Sequence, residues 1–261
     1  MAENLEFDDE TSRVVEEFNA SKGATERRRR ITAALDVDSG DVILDVGSGP
    51  GHQVFELSSV VGPNGRVHGV DPAESAIAIA SRRCSGLSNV QFDIGDVAKL
   101  PFDNETFDAV LSSQVFEYLD GLGEALSEIY RVLKPRGLVL IHDTDWGALL
   151  WHSSDTERMS RILQVWDGHL ADPSLPQSLG SKLKGAGFAE VCAEAVIQLE
   201  TEFERGSVSD ILMQFVAGYV ESQGILATEA TAWKEDLEKL GATGDYFFNS
   251  NEYIFTGRKP A

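Results

Sequence analysis

The sequence predicts an α/β protein built on a doubly wound, mostly parallel sheet of seven strands. Three observations predict it. Short β-branched runs alternate with helix-patterned stretches from residue 41 to residue 143, the first run leads straight into the glycine-rich turn "GSGPG", and two more strands return after a helical interval near the C-terminus. Short strands alternating with helices imply parallel βαβ units, whose crossover helices cover both faces of the sheet.

Each element follows in turn. Residues 11–35 carry helix-spaced apolar positions at Val14, Val15, Phe18, Ile31, Ala34 and Leu35, with an expected break near "SKGAT". "DVILDV" reads as a buried first strand and "HQVFELSSVV" as the helix after it. "GRVHGVD" (65–71) is the second strand, with "AESAIAIASRRC" its helix, and "NVQFDIGD" (89–96) is the third. "FDAVLSSQ" (107–114) is the fourth, followed by a helix at 122–133 that ends in "LKPRG", and "GLVLIHD" (137–143) is the fifth.

Past residue 143 the alternation is interrupted by an aromatic and then helical stretch. "QSLGSKLKGAGF" reads as a helix closed by Gly187, "AEVCAEAVIQLE" as the sixth strand, and "NEYIFTGRKP" as the seventh. Between the last two strands lie helical stretches near 207–222 and 228–240, more chain than a hairpin needs. "ILMQFVAGYV" (211–220) is apolar on most faces and must be covered, as part of a lid or by a second copy of the chain. The expected organisation is one domain: N-terminal helices over 1–40, an α/β core over 41–143, and over 144–261 the remaining strands with a helical, aromatic cap. There is no repeat and no linker.

Composition limits the partners. The 261 residues include 43 Asp plus Glu against 22 Lys plus Arg, a formal net charge of −21. Such a surface repels nucleic acid and anionic membrane faces. It suits a protein of a salty cytoplasm as well as an ordinary acidic one. The arginine run at 27–30 therefore reads as a solvated helix face with local salt bridges. No apolar run reaches the ~20 residues that span a bilayer, and the acidic start lacks the basic and apolar regions of a signal peptide. Cys84 and Cys192 lie far apart without CxxC spacing, so neither a disulfide framework nor a metal site is predicted. The expectation is a cytoplasmic monomer or homodimer.

In an open parallel sheet, ligands lie beyond the carboxyl ends of the strands where the strand order reverses. The turn with Gly47, Gly49 and Gly51 follows the first strand, and glycine there lets the backbone take φ > 0 and approach a ligand closely. A dinucleotide fingerprint would place its third glycine at position 52, which is His52, and the Gly-Lys-Ser/Thr ending of a phosphate loop is absent. Asp71 closes the second strand, where a carboxylate accepts both ribose hydroxyls. Asp96 follows the third, where one accepts from an adenine amino group. Together they read as a nucleoside cradle.

"LDVGSGPG", "VHGVDPAES", "IGDVAKLPFDNETFDAVLSSQVFEYL" and "EIYRVLKPRGLVLIHD" resemble, in order and spacing, the motifs of the class I S-adenosylmethionine-dependent methyltransferases. The likeness is densest over about residues 41–143 and closest to the small-molecule branch with the quinone C-methyltransferases and arsenite methyltransferases. It implies a Rossmann-like methyltransferase fold with an antiparallel last strand, and S-adenosyl-L-methionine as cofactor. Carried over by motif position, Asp45 helps hold the methionine amino group and Gly47 and Gly49 lie against the cofactor. Asp71 and the adjoining Pro72 sit at the ribose, Asp96 and Val97 at the adenine, and Gln114 near the methionine end. The N-terminal helices of this family often cover the cofactor site, so one of the arginines at 27–30 is expected to reach the cofactor. Such a ligand has no phosphate, so the turn needs no cation. The cysteines are unsuited to arsenite, and the further C-terminal signature of the quinone branch is absent, so neither substrate is carried over.

The acceptor side is read from residues 142–169, which hold three of the four tryptophans and three of the five histidines. Trp146 and Trp151 are expected in an aromatic wall, with Glu117, Tyr118, Asp145 and Asn249 as further pocket residues and Tyr246 as a companion of Asn249. Trp166, inside a helical pattern, reads as core. His142, Asp143 and His152 are the candidate catalytic groups, since a base is needed when the acceptor is a protonated nucleophile. The activity expected is in-line methyl transfer, in a dry site, to a small and partly apolar metabolite. The rival readings are a nicotinamide-dependent oxidoreductase and a non-catalytic sensor of the cofactor.

Overall fold

The computed structural model describes residue 19 and residues 21–261. Val14, Val15 and Phe18 lie outside the described residues. Helix α1 (Lys22–Leu35) starts just after Ser21, whose Oγ accepts the Ala24 amide at 3.2 Å. The "SKGAT" stretch holds the expected break: Asn19 is helical, Ser21 lies in a bend, and α1 begins at Lys22. Serine there satisfies an amide that the helix itself leaves unpaired.

Two compact units make up the chain. The sheet unit comprises Arg28–Thr144, Leu175–Ala195 and Tyr253–Ala261; the helical unit takes the described residues up to Arg27 with Asp145–Ser174 and Val196–Glu252.

In the sheet unit, β1 (Val42–Val46), β2 (Arg66–Asp71) and β3 (Val90–Ile94) alternate with α2 (His52–Val61) and α3 (Glu74–Arg83). Strand β4 (Phe107–Ser113) leads to a single 3₁₀ turn at Phe116–Tyr118, then α4 (Leu122–Val132) and β5 (Leu133–Thr144). Helix α6 (Pro176–Gly185) precedes β7 (Ala189–Glu200), and β8 (Phe248–Arg258) is the last strand. The order is β3-β2-β1-β4-β5-β8, with β7 also paired to β8. The parallel register sets Val46 opposite Val70 and Ser112, and Ser113 opposite His142. The chain runs outward through β1, β2 and β3 and returns to β4 beside β1, so the strand order reverses between β1 and β4.

Apolar spacing explains how the helices bind the sheet. Helix α4 buries Ala125, Leu126, Ile129 and Val132, a stripe of one helical face, with Phe107, Val110, Val139 and Ile141 in the same core. Strand β5 starts four residues before the expected Gly137, and Arg136 in it takes φ +70°.

The helical unit contains α5 (Thr156–Asp167), α7 (Val208–Ser222) and α8 (Ala227–Thr243). Asp155 caps α5 by accepting the Arg158 amide at 2.9 Å, Ser207 caps α7, and α8 ends on left-handed Gly244. The apolar stretch of α7 is covered inside this unit: Leu212, Met213, Val216, Ala217 and Val220 share a core with Met159, Ile162, Trp233 and Leu237. A two-residue strand, β6 (Leu150–Trp151), pairs antiparallel with Asn249 and Phe248. It makes eight strands among the described residues where seven were expected; two residues are too few to show a β pattern. Among the described residues no helix is long and apolar enough to cross a membrane.

Trp233 is fully buried and its ring meets Trp151 edge-on at 5.3 Å. Trp233→Ala is expected to cost ~3–5 kcal/mol, read as a lowered midpoint in urea unfolding followed by tryptophan fluorescence.

Candidate active site

The reversal between β1 and β4 opens a crevice at the carboxyl ends of the strands, where peptide groups are left unpaired by the sheet. The turn after β1 has Gly47, Gly49 and Gly51 at φ +70°, +50° and +80°. The amides of Gly47 and Ser48 both donate to the Val70 carbonyl, at 2.7 and 3.0 Å, which ties the turn to β2. A Cβ on Gly47 would collide with Val115, and one on Gly51 would lie 2.8 Å from Ala80 Cβ, whereas one on Gly49 would meet nothing within 4 Å. Packing therefore accounts for two of the glycines, and open space lies only over Gly49.

Three aspartates stand at successive strand ends. Asp71 is half-buried; its Oδ2 accepts the Gly49 amide and its Oδ1 the Ala73 amide, both at 2.9 Å. Burial raises its pKa, and the two amides pull it back. Asp45 is 3% exposed, and no described residue donates a hydrogen bond to its carboxyl group. Burial first, then the charge of Asp71, pushes its pKa up to about 8. Asp96 is exposed and its Oδ1 accepts the Ala98 amide at 2.9 Å, while the adjoining Val97 is buried and Pro72 is exposed.

At the ends of β4 and β5 the polar side chains are bound to one another. Gln114 takes a left-handed φ of +59° and its amide donates to the His142 carbonyl at 2.8 Å. Its Oε1 accepts from Thr144 Oγ1 at 3.0 Å, and its Nε2 lies 3.4 Å from His142 Nδ1. Ser113 Oγ is 3.0 Å from the same Nδ1. Asp143 is buried and its Oδ1 accepts the Val115 amide at 3.1 Å, while Glu117, fully buried, accepts the Thr144 amide at 3.2 Å. The two carboxyl groups clasp the turn after β4 to the end of β5. Burial, then Glu117, raises the Asp143 pKa well above the carboxylate range. Asp143, expected from the sequence as a catalytic group, thus also holds a turn. Tyr118, next to Glu117, is 41% exposed.

The structure brings together Asp45, Gly47, Gly49, Asp71, Gln114, Glu117, His142 and Asp143 at one end of the sheet unit. Sequence reading missed three neighbours. Ser113 and Thr144 reach His142 and Gln114, a link that only the β4–β5 register reveals. Ile94, paired with Asp71 and 57% exposed, presents an apolar face beside the cradle; its signal was an isoleucine directly before "GD".

In the helical unit the expected pocket residues are mostly packing residues. Trp151 is 6% exposed, its Nε1 donates to Tyr246 Oη at 3.1 Å, and its ring meets Trp233 and Phe248. It and Tyr246 are therefore core rather than wall. Trp146 lies half-buried, edge-on to Trp166 at 5.7 Å, and Asp145 and Asn249 are buried. Trp166 is 4% exposed and forms part of the apolar core. His152 is exposed, its backbone amide donating to the Phe247 carbonyl at 2.9 Å. Of the arginine run, Arg28 bonds Glu56 at 2.7 Å in the sheet unit and Arg27 pairs with Glu252 at 3.6 Å in the helical one.

The family described as "Methyltransferase domain" matches residues 37–211, more than half of the chain. The chain belongs to the methyltransferase-domain family. It is a class I S-adenosylmethionine-dependent methyltransferase by family, with that compound as cofactor. An uncharacterised transposon protein of Streptomyces fradiae is 28% identical over 223 residues, 85% of this chain and 63% of its own. A demethylmenaquinone methyltransferase of Staphylococcus epidermidis is 33% identical over 117 residues, 45% of this chain and 48% of its own. The chain thus spans less than two thirds of either relative. Among solved structures, phosphoethanolamine N-methyltransferase 2 of Haemonchus contortus, in complex with phosphomonomethylethanolamine and S-adenosylhomocysteine, matches with a TM-score of 0.66 at 21% identity, covering 98% of this chain and 58% of that one. The YcgJ protein of Bacillus subtilis matches with a TM-score of 0.63 at 17% identity, covering 91% and 99%. These two likenesses are of fold.

The methyltransferase crevice suits its cofactor on physical grounds. Open space over Gly49 admits a ligand against the backbone, and a buried carboxylate at Asp45 without a donor calls for a cation such as an ammonium group. Gly49→Ala is expected to keep the melting temperature within a few degrees while weakening S-adenosylhomocysteine binding in calorimetry. Gly47→Ala, which meets Val115, is expected to cost ~1–3 kcal/mol of stability.

Asp45 also sets a pH dependence. Between its ordinary 3.8 and about 8 the native state holds a proton that the unfolded chain releases. This group's contribution to stability therefore falls as pH rises through that window and levels off above it. Asp45→Asn is expected to flatten the fall, measured as urea midpoints at pH 5 and pH 8.5.

Proposed function

We propose that this protein moves a methyl group from S-adenosylmethionine to a small, partly apolar metabolite in the cytoplasm. The observation that carries this reading is the Gly49–Asp71–Asp45 arrangement: open backbone, a carboxylate fixed at the end of β2, and a buried carboxylate that no described cation offsets. When bound, the cofactor supplies a methyl carbon on a sulfonium that is an excellent leaving group. Asp71 has lone pairs left for ribose hydroxyls after accepting two amides, and Ile94 offers the adenine an apolar face. Asp45 would hold the ammonium group, and its ionisation would be favoured by it. The chain's task is then to align the acceptor and keep water out, which brings the reacting atoms together without the entropy cost of an encounter.

The net charge of −21 supports a small acceptor over nucleic acid. His52 in place of a third glycine speaks against a nicotinamide cofactor.

The test is incubation with methyl-labelled S-adenosylmethionine and a small-metabolite extract, followed by mass spectrometry. A labelled product one methyl heavier is expected. Calorimetry should show S-adenosylhomocysteine binding and no binding of a nicotinamide dinucleotide; the reverse preference would sink the proposal. Asp71→Ala is expected to weaken S-adenosylhomocysteine binding by ~1.5–3 kcal/mol, and an unchanged dissociation constant with an intact fold would remove Asp71 from the site.

A further inference from the structure

Ser113 closes β4 directly beside His142 on β5, a place fixed by the parallel register of the two strands. Its Oγ lies 3.0 Å from His142 Nδ1, and Gln114 Nε2 lies 3.4 Å from the same nitrogen. The placing of the Gln114 amide sets who donates in this arrangement. Thr144 Oγ1 donates to Gln114 Oε1 at 3.0 Å, which turns the amide so that Nε2 faces the imidazole. An amide nitrogen can only donate, so Nδ1 must accept and the neutral ring carries its proton on Nε2. The Ser113 hydroxyl therefore donates to Nδ1 and keeps its own lone pairs for another group.

Exposure gives the dyad a direction. His142 is fully buried and cannot touch an acceptor, whereas Ser113 is half-buried. We propose that Ser113 is a catalytic residue of this methyltransferase, passing the acceptor's proton to His142. The proposal rests on the function proposed above and adds to it the class of acceptor, one whose nucleophilic atom carries a proton that it must lose. In the reaction the acceptor heteroatom bonds to the methyl carbon while the carbon–sulfur bond breaks and its electron pair stays on sulfur. The acceptor's proton moves to Ser113 Oγ as the serine's own proton moves to Nδ1. Ser113 ends neutral and His142 ends as imidazolium, which returns its proton through Ser113 to solvent once product has left. The buried His142, expected from the sequence as a base, thus acts through a neighbour that the sequence reading passed over.

Two measurements on the full chain test this. The first is long-range ¹⁵N–¹H NMR of the histidine rings at pH 7.5, with Ser113→Ala identifying His142 by the shift of its Nδ1 signal. A neutral Nε2–H ring is expected; a proton on Nδ1 overturns the proposal. The second uses the acceptor found by the labelled-methyl experiment. Ser113→Ala is expected to lower kcat ~10²–10⁴-fold, the range for removing acid–base assistance, with KM and S-adenosylhomocysteine affinity unchanged. Ser113→Thr, which keeps the hydroxyl, is expected to recover most of the rate. Wild-type turnover with an unaltered kcat in Ser113→Ala overturns the relay and leaves the methyltransferase reading standing. Absence of both binding and turnover in the wild type defeats that reading and the relay with it.

Discussion

The bonds from the Gly49 and Ala73 amides to the Asp71 carboxylate are what the rest of the crevice depends on. A turn with left-handed glycines at 47, 49 and 51 has a large conformational freedom to lose on folding. One side chain at the end of β2 restrains it: its carboxylate meets the turn on one side and the entry to α3 on the other. The group that shapes the turn is also the one proposed above to meet a ribose. The turn is thus held by a bond within the chain.

Charge is arranged around that restraint in an unbalanced way. Asp45 is raised by burial and by Asp71, and Asp143 by burial and by Glu117. Burying carboxyl groups in this manner is costly unless a proton or a cation joins them. In the clasp between the β4 turn and β5, backbone amides offset part of that cost. At Asp45 no described residue does. Such burial favours a positive charge nearby, in keeping with the ammonium group proposed for Asp45.

How much of this the sequence showed depends on the range of the interaction. The strand–turn–helix repeat and the glycine turn were legible because hydrophobic period and turn chemistry act within a dozen residues. "HQVFELSSVV" and "AEVCAEAVIQLE" match α2 and β7 residue for residue. The Ser113–His142 contact was hidden because it joins residues 29 apart, brought level only by strand register. Trp151 was misassigned for the opposite reason: an aromatic beside a strand end suits a pocket wall and an inner core equally, and only its neighbours Trp233 and Phe248 decide.

Arg136, at the start of β5, sits in a backbone region that β-carbon sterics disfavour by about 1–2 kcal/mol for an L-residue. It belongs to the amino-terminal edge of the strands, with Leu35, Asp108 and Arg258 around the same hollow, while the binding residues gather at the carboxyl ends. That strained residue lies away from the carboxyl-end residues. The sheet unit therefore carries a built-in margin for thermostabilisation: glycine at this one position relaxes the chain without touching the chemistry.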